Sequence, residues 1–192
     1  MMTSNNALVP DPDKQDDLAS KWWQWPILHV GLRMCSWDEN TVKYFLLGNP
    51  LVYWGSTASL GVFALIFFWY LIRWQRGYRE LSAADIDHIH YSGLYPLAGW
   101  FLHYLPFVIM ARVTYVHHYY PALYFAILTF GFCVNWMTQK LPRSIEWAIY
   151  AVLYAATIGL FILFKDIVFG MVGKNEQWRY LNWFDTWRVA NR

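Results

Sequence analysis

Four apolar runs, each bounded by charge, divide the chain. Leu51 to Ile72 holds 22 residues without Asp, Glu, Lys or Arg before Arg73. A helix of that length covers about 33 Å, enough for a hydrocarbon core of about 30 Å. Gly48-Asn49-Pro50 precedes it and reads as an asparagine N-cap with proline at the first helical position. The second run, 93–111, ends at Arg112 and contains Pro106. Proline cannot donate to the Leu102 carbonyl, so a kink is predicted there, and in lipid the freed carbonyl needs another partner. The third run, 113–139, is longer than a bilayer core requires. Pro121 places its helix start there and leaves 113–120 as a polar-aromatic connection. The fourth, Trp147 to Phe164, lies between Glu146 and Lys165, with Pro142 as a break and Ser144 as N-cap.

The spans predicted are thus about 51–72, 93–111, 121–139 and 146–168. The fold class is an all-α integral membrane protein, a four-transmembrane-helix bundle. Residues 1–50 form a luminal or interfacial pre-membrane segment, 51–172 the four-helix region, and 173–192 a luminal aromatic tail. Trp178, Trp183 and Trp187 are spaced in that tail for an amphipathic interfacial segment.

Composition agrees with the pattern. Hydrophobic residues make up 57% and charged residues 15% of the 192, where soluble domains carry about 25% charged. That excludes an ordinary soluble globule. A net charge of +2 supplies no basic field for nucleic acid. Two cysteines, Cys35 and Cys133, cannot build a disulfide framework or a structural zinc site.

Charge also bears on sidedness. The turns after runs one and three carry Arg73, Arg76, Arg79, Lys140 and Arg143, whereas the turn between runs two and three carries only Arg112. That bias predicts cytosolic first and third turns and luminal termini. Counting Arg33, Lys43, Lys165, Lys174 and Arg179 with Arg112 on the other side blunts the bias, to six there against five in the first and third turns. No signal peptide opens the acidic N-terminal stretch, so upstream spans are expected and the chain reads as the back end of a larger protein.

Candidate chemistry gathers where runs two and three meet. Arg112, Tyr115, His117, His118, Tyr119 and Tyr120 form a cationic aromatic collar. Permanent charge, several donors and aromatic walls suit a lipid-linked phosphate. The plainer alternative is an aromatic belt with a snorkelling arginine. His103 is an ionisable group within the second run, or else a neutral histidine bonding the carbonyl freed by Pro106. It lies nine positions from Arg112, on the opposite face of a straight helix. Asp38-Glu39 reads as turn chemistry rather than an acid/base pair. Asp85 to His90 contains one His-x-His and is rejected as a metal site. Gly55 and Ser59 form a small-x-x-x-small pair that predicts close helix packing. No catalytic residue and no metal ligand is assigned.

Several strings carry a specific resemblance: Asn5 to Lys14, Gly31-Leu32-Arg33-Met34, Lys43 to Pro50, and His117-His118-Tyr119-Tyr120-Pro121-Ala122-Leu123. They resemble the C-terminal four-helix region of fungal protein O-mannosyltransferases, most closely the second yeast-type subfamily, over nearly the whole chain. The resemblance implies a multi-pass endoplasmic-reticulum membrane enzyme of the glycosyltransferase C type. Such enzymes transfer mannose from dolichyl-phosphate mannose to Ser or Thr of secretory proteins, as hetero- or homodimers of related subunits, with no cofactor besides the donor substrate. The family's catalytic Asp-Glu pair lies in an N-terminal luminal loop, and a luminal β-trefoil domain precedes the four-helix region. No counterpart of either is read in these residues, so Asp38-Glu39 inherits no catalytic role and the chain alone is expected to be inactive. In that context Arg112, with Tyr115, His117, His118, Tyr119 and Tyr120 and more weakly His103, would hold the dolichyl phosphate. An upstream carboxylate would deprotonate the acceptor hydroxyl, and a fixed cation would stabilise the departing phosphate. The alternative is a standalone, non-catalytic partner or modulator of full-length transferases.

Overall fold

The computed structural model describes residues 18–38, 40–110 and 113–189. The first long helix, α1 (Pro50–Gln75), starts as its sequence dictates: Asn49 Oδ1 accepts from the Leu51 and Val52 amides at 3.1 and 3.4 Å. The same side chain donates through Nδ2 to the Thr157 carbonyl at 3.0 Å, so one cap also ties α1 to the last helix.

The second helical stretch begins earlier than its apolar run. α2 (Ala83–His88) passes into a π-helical segment (Ile89–Leu94) and then α3 (Tyr95–Ile109) without leaving helical backbone. A reciprocal cap explains the start at Ala83: Ser82 Oγ accepts from the Asp85 amide at 3.1 Å, and the Asp85 carboxylate accepts from the Ser82 amide at 3.0 Å. Apolarity marks membrane depth, whereas capping marks helix ends, and here the two differ. α3 alone covers only about 22 Å and reaches a spanning length by continuing the π segment. Three helical stretches, Pro50–Gln75, Val116–Thr138 and Arg143–Phe169, are long and apolar enough to cross a membrane by themselves.

A 3-10 turn, Val116–Tyr119, leads straight into α4 (Tyr120–Thr138), so the connection is ordered and the α-helix begins one residue before Pro121. α5 (Arg143–Phe169) is capped by Pro142. Ser144 lies inside its first turn and is not the N-cap. Gly170, at φ 117°, ends α5 in a conformation that favours glycine.

The small face of α1 packs on α4 as its spacing predicts. Ser56 and Ser59 are buried, and a Cβ on Gly55 would stand 2.9 Å from the Phe130 ring. Cys133 Sγ donates to the Ser59 carbonyl at 3.4 Å. Phe63, Ile89, Phe132 and Cys133 form a small core toward the C-terminal end of α1, here called the far end. α5 buries only Phe164 and Ile167, so most of its surface is left for lipid or other helices.

The larger core lies at the other end, beneath a cap built from both flanks. Strands β1 (Leu32–Arg33) and β2 (Phe45–Leu46) pair antiparallel, Leu32 opposite Leu46 and Arg33 opposite Phe45. Lys43 and Met171 exchange two backbone hydrogen bonds of 2.9 Å. The Lys43 side chain is fully buried and donates to the Gly173 carbonyl at 2.7 Å. The C-terminal tail forms two 3-10 turns, Asn175–Leu181 and Asp185–Trp187. Trp187 is pinned inside, with Nε1 donating to the Leu28 carbonyl at 2.7 Å, while Trp183 stays exposed. Leu28 and Arg188 both have positive φ, 52° and 54°, unusual for bulky side chains. The Trp187–Leu28 bond and an Arg33 Nη2 donation to the Arg188 carbonyl at 2.8 Å hold that seam closed.

Candidate functional site

The described collar residues, Tyr115 and His117 to Tyr120, sit where the Val116–Tyr119 turn meets the cap. Thr114 and Ser20 exchange bonds, Ser20 N to Thr114 O at 2.8 Å and Thr114 Oγ1 to Ser20 O at 2.7 Å, fixing the approach to the turn. Within it the rings form a stack. His117 and His118 lie 4.3 Å apart at 26°, and Tyr115 lies nearly parallel to both, at 5.7 and 6.1 Å.

The members of the stack differ in surroundings. His118 is half-buried between Trp25, stacked at 6.4 Å, and Phe107 at 5.3 Å. Its Nδ1 is 3.1 Å from the Tyr115 amide nitrogen and 3.0 Å from the Tyr115 carbonyl oxygen, so one tautomer accepts and the other donates, and either keeps the ring docked. Tyr119 is wholly buried against Trp25, Tyr53 and Tyr104, its hydroxyl accepting from Trp100 Nε1 at 3.2 Å. His117 and Tyr120 are exposed. One layer of the collar therefore supports and another faces outward.

Arg112 lies outside the described residues. His103 is exposed on α3, packs on Phe125 at 4.9 Å and pairs through Nδ1 with the Gly99 carbonyl at 2.8 Å. Its partner is thus one turn back in its own helix rather than the Leu102 carbonyl freed by Pro106. His103 has no ring contact with the histidine pair among the described residues. Asp38 accepts from the Ser36 hydroxyl, and its carbonyl accepts from the Thr41 amide, a turn arrangement; Glu39 lies outside the described residues. Asp85 belongs to the Ser82 cap, and His88 pairs with Asn135 Oδ1 at 3.2 Å.

Sequence reasoning missed the supports. Trp25, Trp100 and Phe107 position His118 and Tyr119, and the Trp22-Trp23-Gln24-Trp25 string was the available signal. It also missed a polar cavity of about 430 Å³ between the flanks, lined by His29, Arg33, Thr186 and Arg188 among others and by none of the collar residues. Burial there, and then the Arg188 charge, lower the pKa of the Arg33 guanidinium.

The comparisons with known proteins agree with this architecture. Residues 1–187 match the family model described as the C-terminal four TMM region of protein-O-mannosyltransferase. The chain belongs to the protein O-mannosyltransferase family. It is 45% identical to dolichyl-phosphate-mannose–protein mannosyltransferase 2 of Candida albicans, over 100% of this chain and 26% of that protein. It is 46% identical to mannosyltransferase 6 of Saccharomyces cerevisiae, over 99% of this chain and 25% of that protein. The chain spans about a quarter of the length of these curated relatives. Among solved structures, the S. cerevisiae protein O-mannosyltransferase Pmt1–Pmt2 complex bound to the sugar donor superposes with a TM-score of 0.83 at 28% identity, over 97% of this chain and 26% of that one. The mannosyltransferase family, the C-terminal region and the fungal subfamily implied by the quoted strings are therefore established, and the protein is a multi-pass membrane protein.

Proposed function

We propose that this chain is the membrane module of an endoplasmic-reticulum enzyme that transfers mannose from dolichyl-phosphate mannose to Ser or Thr of secretory proteins. Its part in the reaction is to hold the phosphate of the donor lipid at the collar and to pack the neighbouring helices. The observation that carries the reading is the two-layered collar: His117 and Tyr120 face outward from a turn that His118 and Tyr119 anchor. Arg112 adds fixed charge at the adjoining chain position. A cation there stabilises the negative charge that grows on the departing dolichyl phosphate. Outward rings at a membrane boundary also suit a lipid headgroup.

The acceptor hydroxyl needs a base, and Asp38 is committed to a turn. In this reading the base is supplied from elsewhere in the enzyme, and a related mannosyltransferase subunit completes the assembly. A graft tests this reading. Residues 1–192 replace the C-terminal region of a full-length relative, and transfer from dolichyl-phosphate mannose to a Ser/Thr peptide is measured. The graft is expected to be active and the 192-residue chain alone inactive. A folded but inactive graft, or transfer by the chain alone, would overturn it.

A further inference from the structure

A second cavity, of about 410 Å³, lies at the far end of the bundle, between the last turns of α1, the connection that follows, and the α2–π helix. It is separate from the collar, whose Tyr119 packs on Tyr53 in the first turn of α1, 14 positions and about 21 Å of helix before Phe67, the first cavity residue. Its walls are apolar: Phe67, Tyr70, Leu71, Ile86 and Ile89. Its mouth is polar and unequal in charge, with Arg73, Arg79, Glu80 and His90. Arg73 grips Glu80 through both Nε and Nη2, so that carboxylate is already compensated.

Arg79 is held differently. Its Nη1 donates to the Trp74 and Tyr78 carbonyls at 3.0 and 3.2 Å, which lays the guanidinium over the Trp74 ring at 5.4 Å. Among the described residues Arg79 has no carboxylate partner, and Nε and Nη2 make no hydrogen bond. Arg76 adds a further positive charge at the α1 C-cap. An apolar groove opening at the end of a membrane-crossing helix, rimmed by excess arginine, matches one kind of molecule in both halves. Basic pockets between transmembrane helices take anionic headgroups, and the groove takes the hydrocarbon.

We propose that this cavity binds an anionic phospholipid, with an acyl chain between α1 and the α2–π helix and the phosphate on Arg79. The site is independent of donor binding at the collar and makes no use of it. It would anchor the turn between α1 and α2 to the membrane surface, through lipid charge as well as helix burial.

The test uses the full 192-residue chain in detergent, with native mass spectrometry during titration of phosphatidylserine or phosphatidylcholine of matched chains. Phosphatidylserine is expected to bind more tightly. Arg79→Gln should weaken phosphatidylserine about fivefold, the usual effect of one basic residue near anionic lipid, and weaken phosphatidylcholine less, because its choline offsets the phosphate charge that both lipids present to Arg79. Ile86→Trp, which fills the groove, should weaken both lipids. Arg143→Gln, at the same end but off the groove, should change neither. Thermal melting confirms that each variant is folded. Equal binding of the two lipids, or an Arg143→Gln loss matching that of Arg79→Gln, would overturn the proposal, because either result describes ordinary annular lipid. Competition by tail-free glycerophosphoserine at the same concentration would overturn it too, by showing that the groove contributes nothing.

Discussion

Adjacent histidines with separate tasks make an internal comparison at one turn. Replacing His118 by alanine removes a ring that touches Trp25, Phe107, Tyr115 and His117 and takes away the Nδ1 beside the Tyr115 amide. A hydrogen bond of this kind contributes about 0.5–1.5 kcal/mol, and an aromatic pair contributes about 0.5–1.5 kcal/mol beyond its buried area. Because the ring is only half-buried, about 2 kcal/mol is expected in total, the middle of that combined range. In a chain of this size that corresponds to a midpoint about 4–8 °C lower. His117 is exposed and only covers its neighbour's face, so His117→Ala should stay within about 0.5 kcal/mol and shift the midpoint by less than about 2 °C. Thermal unfolding in detergent, followed by size-exclusion fluorescence, reads both variants side by side. Similar losses for the two, or a larger loss for His117→Ala, would refute the division into a supporting and an outward-facing histidine.

Three further outcomes follow from packing and charge. Gly93→Ala should lower the midpoint by about 2–8 °C, since the added methyl enters the space of the buried Phe63 ring, while Gly131→Ala, where nothing stands within 4 Å, should be neutral or stabilising; Phe63→Leu should relieve the first but not change the second. Trp187→Phe deletes the bond to the Leu28 carbonyl and should cost about 1 kcal/mol, seen as faster limited proteolysis of the cap with the helices left intact. Arg73 holds the Glu80 carboxyl below its ordinary pKa, so the pair's contribution is complete above that value and disappears as pH falls through the lowered one. The midpoint difference between the parent and Glu80→Gln should therefore be constant near neutrality and shrink only in acid; a difference that grows as pH falls would contradict the pairing.

Much of the fold was legible because its signals are local. Asn49-Pro50 announced α1, Pro121 the third crossing, and Gly55 with Ser59 the close approach of α1 to α4. The helix start at Ala83 was hidden, since Asp85 and Asp87 end the apolar run while Ser82 and Asp85 cap a helix that continues through it. The cap was hidden for another reason. Trp187 meets Leu28 across 159 positions and Lys43 meets Gly173 across 130, and no periodicity encodes such pairs. The positive φ of Leu28 and Arg188 carried no glycine to mark it. Within the site, the crowding of aromatic and histidine residues was readable. Which ring supports and which faces out depends on Trp25 and Phe107, contributed by distant segments.

Donor dependence of transfer tests the central claim most directly. In a full-length transferase of this family carrying this region, mannosylation of a Ser/Thr peptide is measured against dolichyl-phosphate-mannose concentration for the parent, Arg112→Ala, Arg112→Lys and His117→Ala. Loss of a charge-assisted contact to phosphate, about 1.5–3 kcal/mol, predicts a donor KM raised at least about tenfold in Arg112→Ala, with lysine restoring it only in part. His117→Ala should raise donor KM in a protein that melts like the parent. An unchanged donor KM in both alanine variants would contradict phosphate binding at the collar.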